Sequence, residues 1–170
     1  MIVFCGRRPI RASCRQHDRP PGARHLTDNR TPDSRSALMS RIGGKDTAPE
    51  MIVRRLLHGL GYRYRLHRRD LPGKPDIVFS GPRKAIFVHG CFWHAHGCAI
   101  GRPPKSRPDY WLPKLDANRR RDAAVCAALK AQDWEVLTVW QCETRRMEGL
   151  KAAVIGFLEG SDGNAGSRAA

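Results

Sequence analysis

The sequence predicts a mixed α/β fold, with one central β-sheet and helices on both of its faces. Periodicity along the chain runs helix, three strands, helix, strand, helix, an order that suits a mixed sheet covered on two sides. The 170 residues suffice for one substantial core and leave no room for a second enzyme domain. The third strand, an apolar run, ends directly in Val88-His-Gly-Cys-Phe-Trp-His-Ala-His-Gly-Cys98. That segment crowds cysteines, histidines and large aromatics together more densely than packing alone explains.

Each element has a local signature. Thr47-Ala-Pro-Glu50 is a capping box with Thr47 at the N-cap, Glu50 at N3 and Pro49 in the first turn, where its missing donor costs little. Ile52, Val53, Leu56, Leu57 and Leu60 then share one face up to Gly61, which predicts a helix over about 48–60. Tyr62 to Leu66 alternates as a short strand. Leu71-Pro-Gly-Lys-Pro75 is a turn that delivers Asp76 to the mouth of a second strand, 77–79, and Ser80-Gly-Pro82 turns again into a third, 84–89. Glycines, prolines and basic residues make 97–107 an exposed loop. A helix is expected over 113–132, a central strand over 134–140 and a closing helix over 147–158. The domain boundaries follow: 1–26 is a basic, disordered N-terminal extension, 27–158 the folded domain, and 159–170 a flexible C-terminal tail.

Thirty-one Lys and Arg against sixteen Asp and Glu give a formal charge of +15. The excess is mostly arginine, whose forked donors suit phosphates and base edges, so a nucleic acid is the expected partner. No apolar run reaches the ~18 residues of a transmembrane helix, and the apolar start breaks off at Gly6-Arg-Arg8 without the core of a signal peptide. Six cysteines, unevenly spaced, do not form a disulfide framework in a chain of this length. They fit a reducing compartment and a metal role.

Cys91, His96 and Cys98 supply three soft or borderline ligands within eight residues, and Cys142 follows the last strand. Four donors can thus converge on one Zn2+, and thiolates disfavour Mg2+ or Ca2+ there. His94 and His89 compete for the fourth place, although using Cys142 leaves both histidines for chemistry. The bland alternative is buried free thiols, for which a Gly-rich, His-rich loop has little apolar cover. With four protein ligands, the site is closed and structural.

Glu50, Asp76, His89, His94 and Asp122 lie on different elements that a small mixed sheet can bring to one edge. Phosphodiester hydrolysis needs a carboxylate-held metal for charge neutralisation and a histidine base near the operating pH. Asp122 lies one turn beyond Asn118, so both can face that edge. Taken singly, Asp76 is equally a turn cap and Asp122 a solvated helix residue beside Arg119 to Arg121. Phe92 and Trp93 are expected to be carried outward by the metal-fixed loop for insertion between base pairs, against the alternative of capping the core. Tyr110, Trp111, Trp134 and Trp140 are read as structural.

Across 27–158 the chain resembles the strand-specific DNA mismatch endonucleases of bacterial very short patch repair. The likeness rests on Arg35-Ser-Ala-Leu-Met-Ser-Arg-Ile42, Gly44-Lys-Asp-Thr-Ala-Pro-Glu50, Leu71-Pro-Gly-Lys-Pro-Asp76, His89-Gly-Cys-Phe-Trp-His94, His96-Gly-Cys98 and Val139-Trp-Gln-Cys142. It implies a restriction-endonuclease-like fold without the usual Glu-x-Lys after the metal aspartate. It also implies Mg2+-dependent nicking of double-stranded DNA 5′ to the thymine of a T:G mismatch left by deamination of 5-methylcytosine. By motif position, Asp76 resembles the magnesium carboxylate, His94 the water-activating histidine supported by Asp122, His89 the contact to the scissile phosphate, and Glu50 an outer-shell group. Cys91, His96, Cys98 and Cys142 resemble the zinc ligands, Phe92 and Trp93 the wedge, and Met39 the residue entering from the opposite groove. Where family members often carry Thr, this chain has Val88, which retains the backbone carbonyl as a Mg2+ contact and lacks the hydroxyl. The expected setting is bacterial, cytoplasmic and nucleoid-associated, with mismatch-repair proteins as possible partners; a single-site nick needs only a monomer, and no heptad or long apolar stripe argues for more. Two competing readings are a zinc-stabilised DNA-binding module without catalysis and a related endonuclease with another DNA substrate.

Overall fold

The computed structural model describes residues 3–4 and 45–160. The remainder of the expected extension, Met39 and the tail beyond 160 lie outside the described residues. Among the described residues a five-stranded mixed sheet runs in the order β1-β5-β4-β3-β2, with β1 Val3–Phe4, β2 Arg65–Leu66, β3 Ile77–Phe79, β4 Lys84–His89 and β5 Glu135–Trp140. All neighbours are antiparallel except β4 and β5, which run parallel in the register Lys84↔Glu135 to His89↔Trp140. Parallel strands need a crossover, and the helix Pro108–Lys130, here α2, supplies it. It is flanked in sequence by α1, Ala48–Gly59, and α3, Met147–Glu159.

Helix α1 starts and stops as its sequence dictates. Thr47 N–H donates to Glu50 Oε2 at 3.0 Å while Glu50 N–H points back to Thr47 Oγ1 at 3.5 Å, the reciprocal bonds of a capping box. At the other end Gly61 takes φ +83°, and the Tyr62→Leu57 and Gly61→His58 backbone bonds close a Schellman turn.

The two faces of the sheet follow from the period of two. Ile77, Phe79, Ile86, Leu137 and Val139 point to one side, onto Val53 and Leu57 of α1 and Leu150, Val154 and Phe157 of α3. Val78, Ala85, Phe87 and Val136 point to the other, onto Leu71, Trp134 and Leu129 of α2. Lys84 is only 1% exposed. Its amine donates to the Phe157 and Leu158 carbonyls at 2.9 and 2.8 Å, so a strand residue caps the end of α3.

Three elements differ from the sequence reading. Val3–Phe4, within the stretch 1–26 expected to be a disordered extension, pairs with β5 as an edge strand. Only Arg65–Leu66 of the expected 62–66 strand joins the ladder. Tyr62 and Tyr64 instead stand edge-on to Phe79, with hydroxyls on Glu159 and the Arg54 carbonyl, so side chains hold this stretch in place of a ladder. Helix α2 begins at Pro108, five residues before Pro113, because Arg107 turns into the left-handed region at φ 53° and Pro108 occupies the first turn. Pro113 then sits inside the helix, where packed Trp111 and Leu115 offset its one missing hydrogen bond.

Candidate active site and metal-binding clusters

Among the described residues, three groups of ligand-type side chains gather at one end of β3, β4 and β5. Asp76 precedes β3, next to the end of β4. Continued by one residue, the antiparallel register places it opposite Phe87, and the backbone N–H of the next residue, Val88, donates to Asp76 Oδ2 at 2.8 Å. His89 closes β4, and its ring stacks on His94 with centroids 3.8 Å apart and planes 7° from parallel. His94 is held by the tight turn after β4, where its N–H bonds the Gly90 carbonyl and Ala95 adopts φ 48°. From α2, Asp122 Oδ2 meets His94 Nδ1 at 2.5 Å. An ionised carboxylate there takes the proton of Nδ1 as its hydrogen bond, which leaves Nε2 with the free lone pair. One turn earlier Asn118 donates to the Trp93 carbonyl at 2.8 Å and ties the turn to the helix.

These groups line a cleft of about 510 Å3 rimmed by Lys45, Arg69, Lys74 and Arg121. Burial pushes the Asp76 carboxyl up to about 6, with the Glu50 charge adding to the rise and the Val88 N–H opposing it. Burial, and then the neighbouring His94, push His89 down to about 4, so its ring is neutral at neutral pH.

Glu50 joins Asp76 in a second group with His67, which sequence reasoning missed. His67 Nε2 lies 3.8 Å from Glu50 Oε1, and its Nδ1 lies 3.9 Å from Asp76 Oδ1. Arg54, one turn after Glu50 and 7% exposed, reaches Glu50 Oε1 at 2.9 Å, His67 Nε2 at 2.8 Å and Asp46 Oδ1 at 2.5 Å. The available signal was register: Leu66 pairs with Ile77, so the next residue out on each strand, His67 and Asp76, must face each other. The pairing makes the local hydrophobic pattern an insufficient guide.

The third group is Cys91, His96, Cys98 and Cys142, whose ligand atoms all lie within 4.8 Å of one another. The parallel register explains the meeting. Cys91 and Cys142 each follow their strand's last residue by two, and Cys142 N–H points at Cys91 Sγ, 3.3 Å away. His96 Nδ1 lies 3.5 Å from Cys142 Sγ, with its ring stacked on Trp140 at 4.2 Å. Burial, followed by the neighbouring thiols, pushes Cys142 up to about 12. Three thiols this close suit a soft or borderline cation that relieves the repulsion between thiolates. Gly101 closes the loop over the turn, and a Cβ there would sit 2.0 Å from the His96 carbonyl oxygen. The Asp76 carboxyl, by contrast, offers hard oxygen donors with Glu50 close by, a setting that suits a hard divalent ion.

The wedge candidates rest on other aromatics. Phe92 and Trp93 are half-buried, edge-on to each other at 5.1 Å, with Phe92 also 5.1 Å from Trp111. The early start of α2 puts the buried Trp111 beneath them as a platform. Tyr110, expected to be structural, is 48% exposed beside Trp111 with the Lys114 amine over its ring.

Comparison with known proteins gives the family. Residues 27–100 match the family model described as DNA mismatch endonuclease Vsr, a match that ends before Asp122 and Cys142. The type II nicking enzyme V.XorIIP of Xanthomonas oryzae pv. oryzae is 54% identical over 136 residues, 80% of this chain and 100% of that protein. The type II nicking enzyme V.NmeAIP of Neisseria meningitidis is 42% identical, covering 71% of this chain and 86% of its own length. The DNA mismatch endonuclease Vsr of Escherichia coli is 41% identical, over 69% and 75% of the respective chains. With these relatives matched over most of their length, the chain belongs to the Vsr family and is a DNA endonuclease.

Proposed function

We propose that this endonuclease is the Mg2+-dependent nickase of very short patch repair, cutting one strand 5′ to the thymine of a T:G mismatch. The observation that carries the reading is the convergence, in one cation-rimmed cleft, of the half-buried Asp76 with the bonded pair His94–Asp122. The mixed sheet with helices on both faces suits the restriction-endonuclease-like fold, here with histidines in place of Glu-x-Lys chemistry.

Asp76 and the Val88 carbonyl would hold Mg2+, with Glu50 at its outer shell. Mg2+, when bound, neutralises charge on the reacting phosphate and on the leaving oxygen. His94 Nε2 accepts the proton of the attacking water, and the Asp122 carboxylate on Nδ1 stabilises the imidazolium that results. Neutral His89, held parallel to His94, donates an N–H to the scissile phosphate without adding a charge that would raise the cost of protonating His94. Lys45, Arg69, Lys74 and Arg121 face the flanking phosphates.

Zn2+ on Cys91, His96, Cys98 and Cys142 would be structural. It ties the ends of β4 and β5 to the turn that carries His94, and fixes Phe92 and Trp93 as the wedge beside the mismatch, with Met39 approaching from the other groove. Unstacking by a wedge costs least at a mismatch, which favours mismatched over fully paired DNA. Among the described residues, no helix is long and apolar enough to cross a membrane. A monomer acting in the cytoplasm on nucleoid DNA, alongside mismatch-repair proteins, completes the reading.

The test is strand-resolved cleavage of end-labelled duplexes that differ only in T:G, C:G or T:A at one position, with Mg2+ supplied or withheld. A single Mg2+-dependent cut just 5′ of the mismatched T, lost in Asp76→Ala with zinc content unchanged, is the expected result. Comparable cutting of the paired duplexes would instead assign the chain another DNA substrate, and tight binding with no cut would refute the catalytic assignment of these residues.

A further inference from the structure

Glu50, His67 and Asp76 have the spacing of a three-ligand metal site, but Arg54 argues against using His67 as a ligand. Its Nη2 lies 2.9 Å from Glu50 Oε1 and 2.8 Å from His67 Nε2, so a fixed positive charge already sits on two of the three donors. A guanidinium only donates. His67 Nε2 must therefore accept, and the proton of the neutral ring resides on Nδ1. That nitrogen is the one directed at Asp76, 3.9 Å from Oδ1, whereas the Val88 N–H occupies the other oxygen, Oδ2. The gap is longer than a hydrogen bond, and a small closure of the site brings it into range, as hydrogen bonds in unloaded sites commonly tighten when the ligand arrives.

Arg54 is itself immobilised. Its Nη1 is held by Asp46 at 2.5 Å, and its backbone carbonyl accepts the Tyr64 hydroxyl at 3.0 Å. The backbone of His67 is fixed as well, its N–H donating to the Asp76 carbonyl at 3.3 Å. Both the source of the tautomer and the position of the ring are thus set by the fold before any ion binds.

We propose that Arg54 and His67 act as a positioning pair, in which Arg54 selects the His67 tautomer that turns an Nδ1–H toward Asp76 and so orients the carboxylate for its metal. His67 is a positioning residue and touches neither substrate nor reacting atoms. The inference rests on the reading of Asp76 as the magnesium carboxylate. Partners of this kind typically change metal affinity by about 10- to 100-fold when removed.

The first test needs no turnover. Long-range 1H–15N NMR of the zinc-loaded, Mg2+-free protein should show His67 with its proton on Nδ1; a proton on Nε2 overturns the proposal. The second is calorimetric titration of Mn2+ without DNA, together with the Mg2+ dependence of nicking, for His67→Leu and His67→Gln, each checked for an unchanged thermal melt. His67→Leu should weaken Mn2+ binding and raise the half-maximal Mg2+ concentration about tenfold or more, with kcat at saturating Mg2+ within about threefold of wild type. His67→Gln, whose amide both accepts from Arg54 and donates toward Asp76, should recover most of that loss. If His67→Leu leaves both affinities unchanged while Asp76→Ala abolishes them, the positioning role fails and the metal reading stands. If Asp76→Ala leaves them unchanged, the metal reading itself fails.

Discussion

Replacing Asp76 by asparagine tests how the protein holds a carboxylate that it has taken out of water. Burial raises this group from its ordinary 3.8 to about 6, and its side chain is only 18% exposed. The folded state therefore holds the proton more tightly than the unfolded chain. Stability conferred by the protonated form is complete below about pH 4 and is lost as pH rises through 6, leaving a penalty of about 3 kcal/mol at pH 8. The amide of the Asp76→Asn variant carries no charge and still offers an oxygen to the Val88 N–H. In the absence of Mg2+ this variant should therefore be more stable than wild type by up to about 3 kcal/mol at pH 8, with the gain falling to about 1 kcal/mol at pH 4.5. Urea unfolding followed by tryptophan fluorescence measures this, in buffer free of Mg2+ but without a chelator that would also strip zinc. Saturating Mg2+ should stabilise wild type and leave the variant unmoved, and the variant should not cut DNA. Equal or lower stability of Asp76→Asn at pH 8, or a difference that ignores pH, would refute the claim that Asp76 is held desolvated.

Three further outcomes follow from the same geometry. His89 is depressed from 6.5 to about 4 by burial, so the stability it contributes is present above pH 6.5 and drains away as pH falls toward 4; His89→Gln should flatten the acid limb of the unfolding free energy by about 3 kcal/mol. Gly101→Ala, whose Cβ would meet the His96 and Cys91 carbonyl oxygens at 2.0 and 2.8 Å, should lower bound zinc measured by atomic absorption and cost more than about 2 kcal/mol, whereas Gly97→Ala, with open space around it, should do neither. Arg121→Ala and Lys74→Ala, on the rim of the cleft, should each reduce the slope of log Kd against log salt for duplex binding by about 1 if each contacts one phosphate; an unchanged slope would remove that residue from the DNA path.

Features coded by neighbours in sequence were legible from the sequence. The capping box, the glycine stop of α1 and the alternation of β3, β4 and β5 all depend on contacts within a few residues. The Cys91, His96, Cys98 and Cys142 set was also readable, because its members sit just past the C-terminal ends of two strands, which a parallel pairing of those strands brings together. What escaped depends on contacts between elements. The share of 62–66 that joins the ladder was decided by tyrosine rings on Phe79, and the setting of Phe92 and Trp93 by Trp111 from a helix that starts earlier than Pro113 suggested. His67 and Arg54 carry no motif. Their contacts with Glu50 and Asp76 exist only once β2 lies beside β3 and α1 packs against the sheet.

Glu50 serves two structures at once, with a mechanical consequence. One oxygen accepts from Thr47 and closes the start of α1; the other accepts from Arg54 at the edge of the cleft. Winding the first turn of that helix and assembling this corner of the cleft are thus a single event. Fraying at Thr47, which in most helices would be a local loss at the surface, here releases Glu50 and loosens the grip on Arg54 and His67. The helix start works as a latch on this corner of the cleft, so substitutions at 46–49 should loosen the Glu50–Arg54 contact without removing a cleft-rim cation.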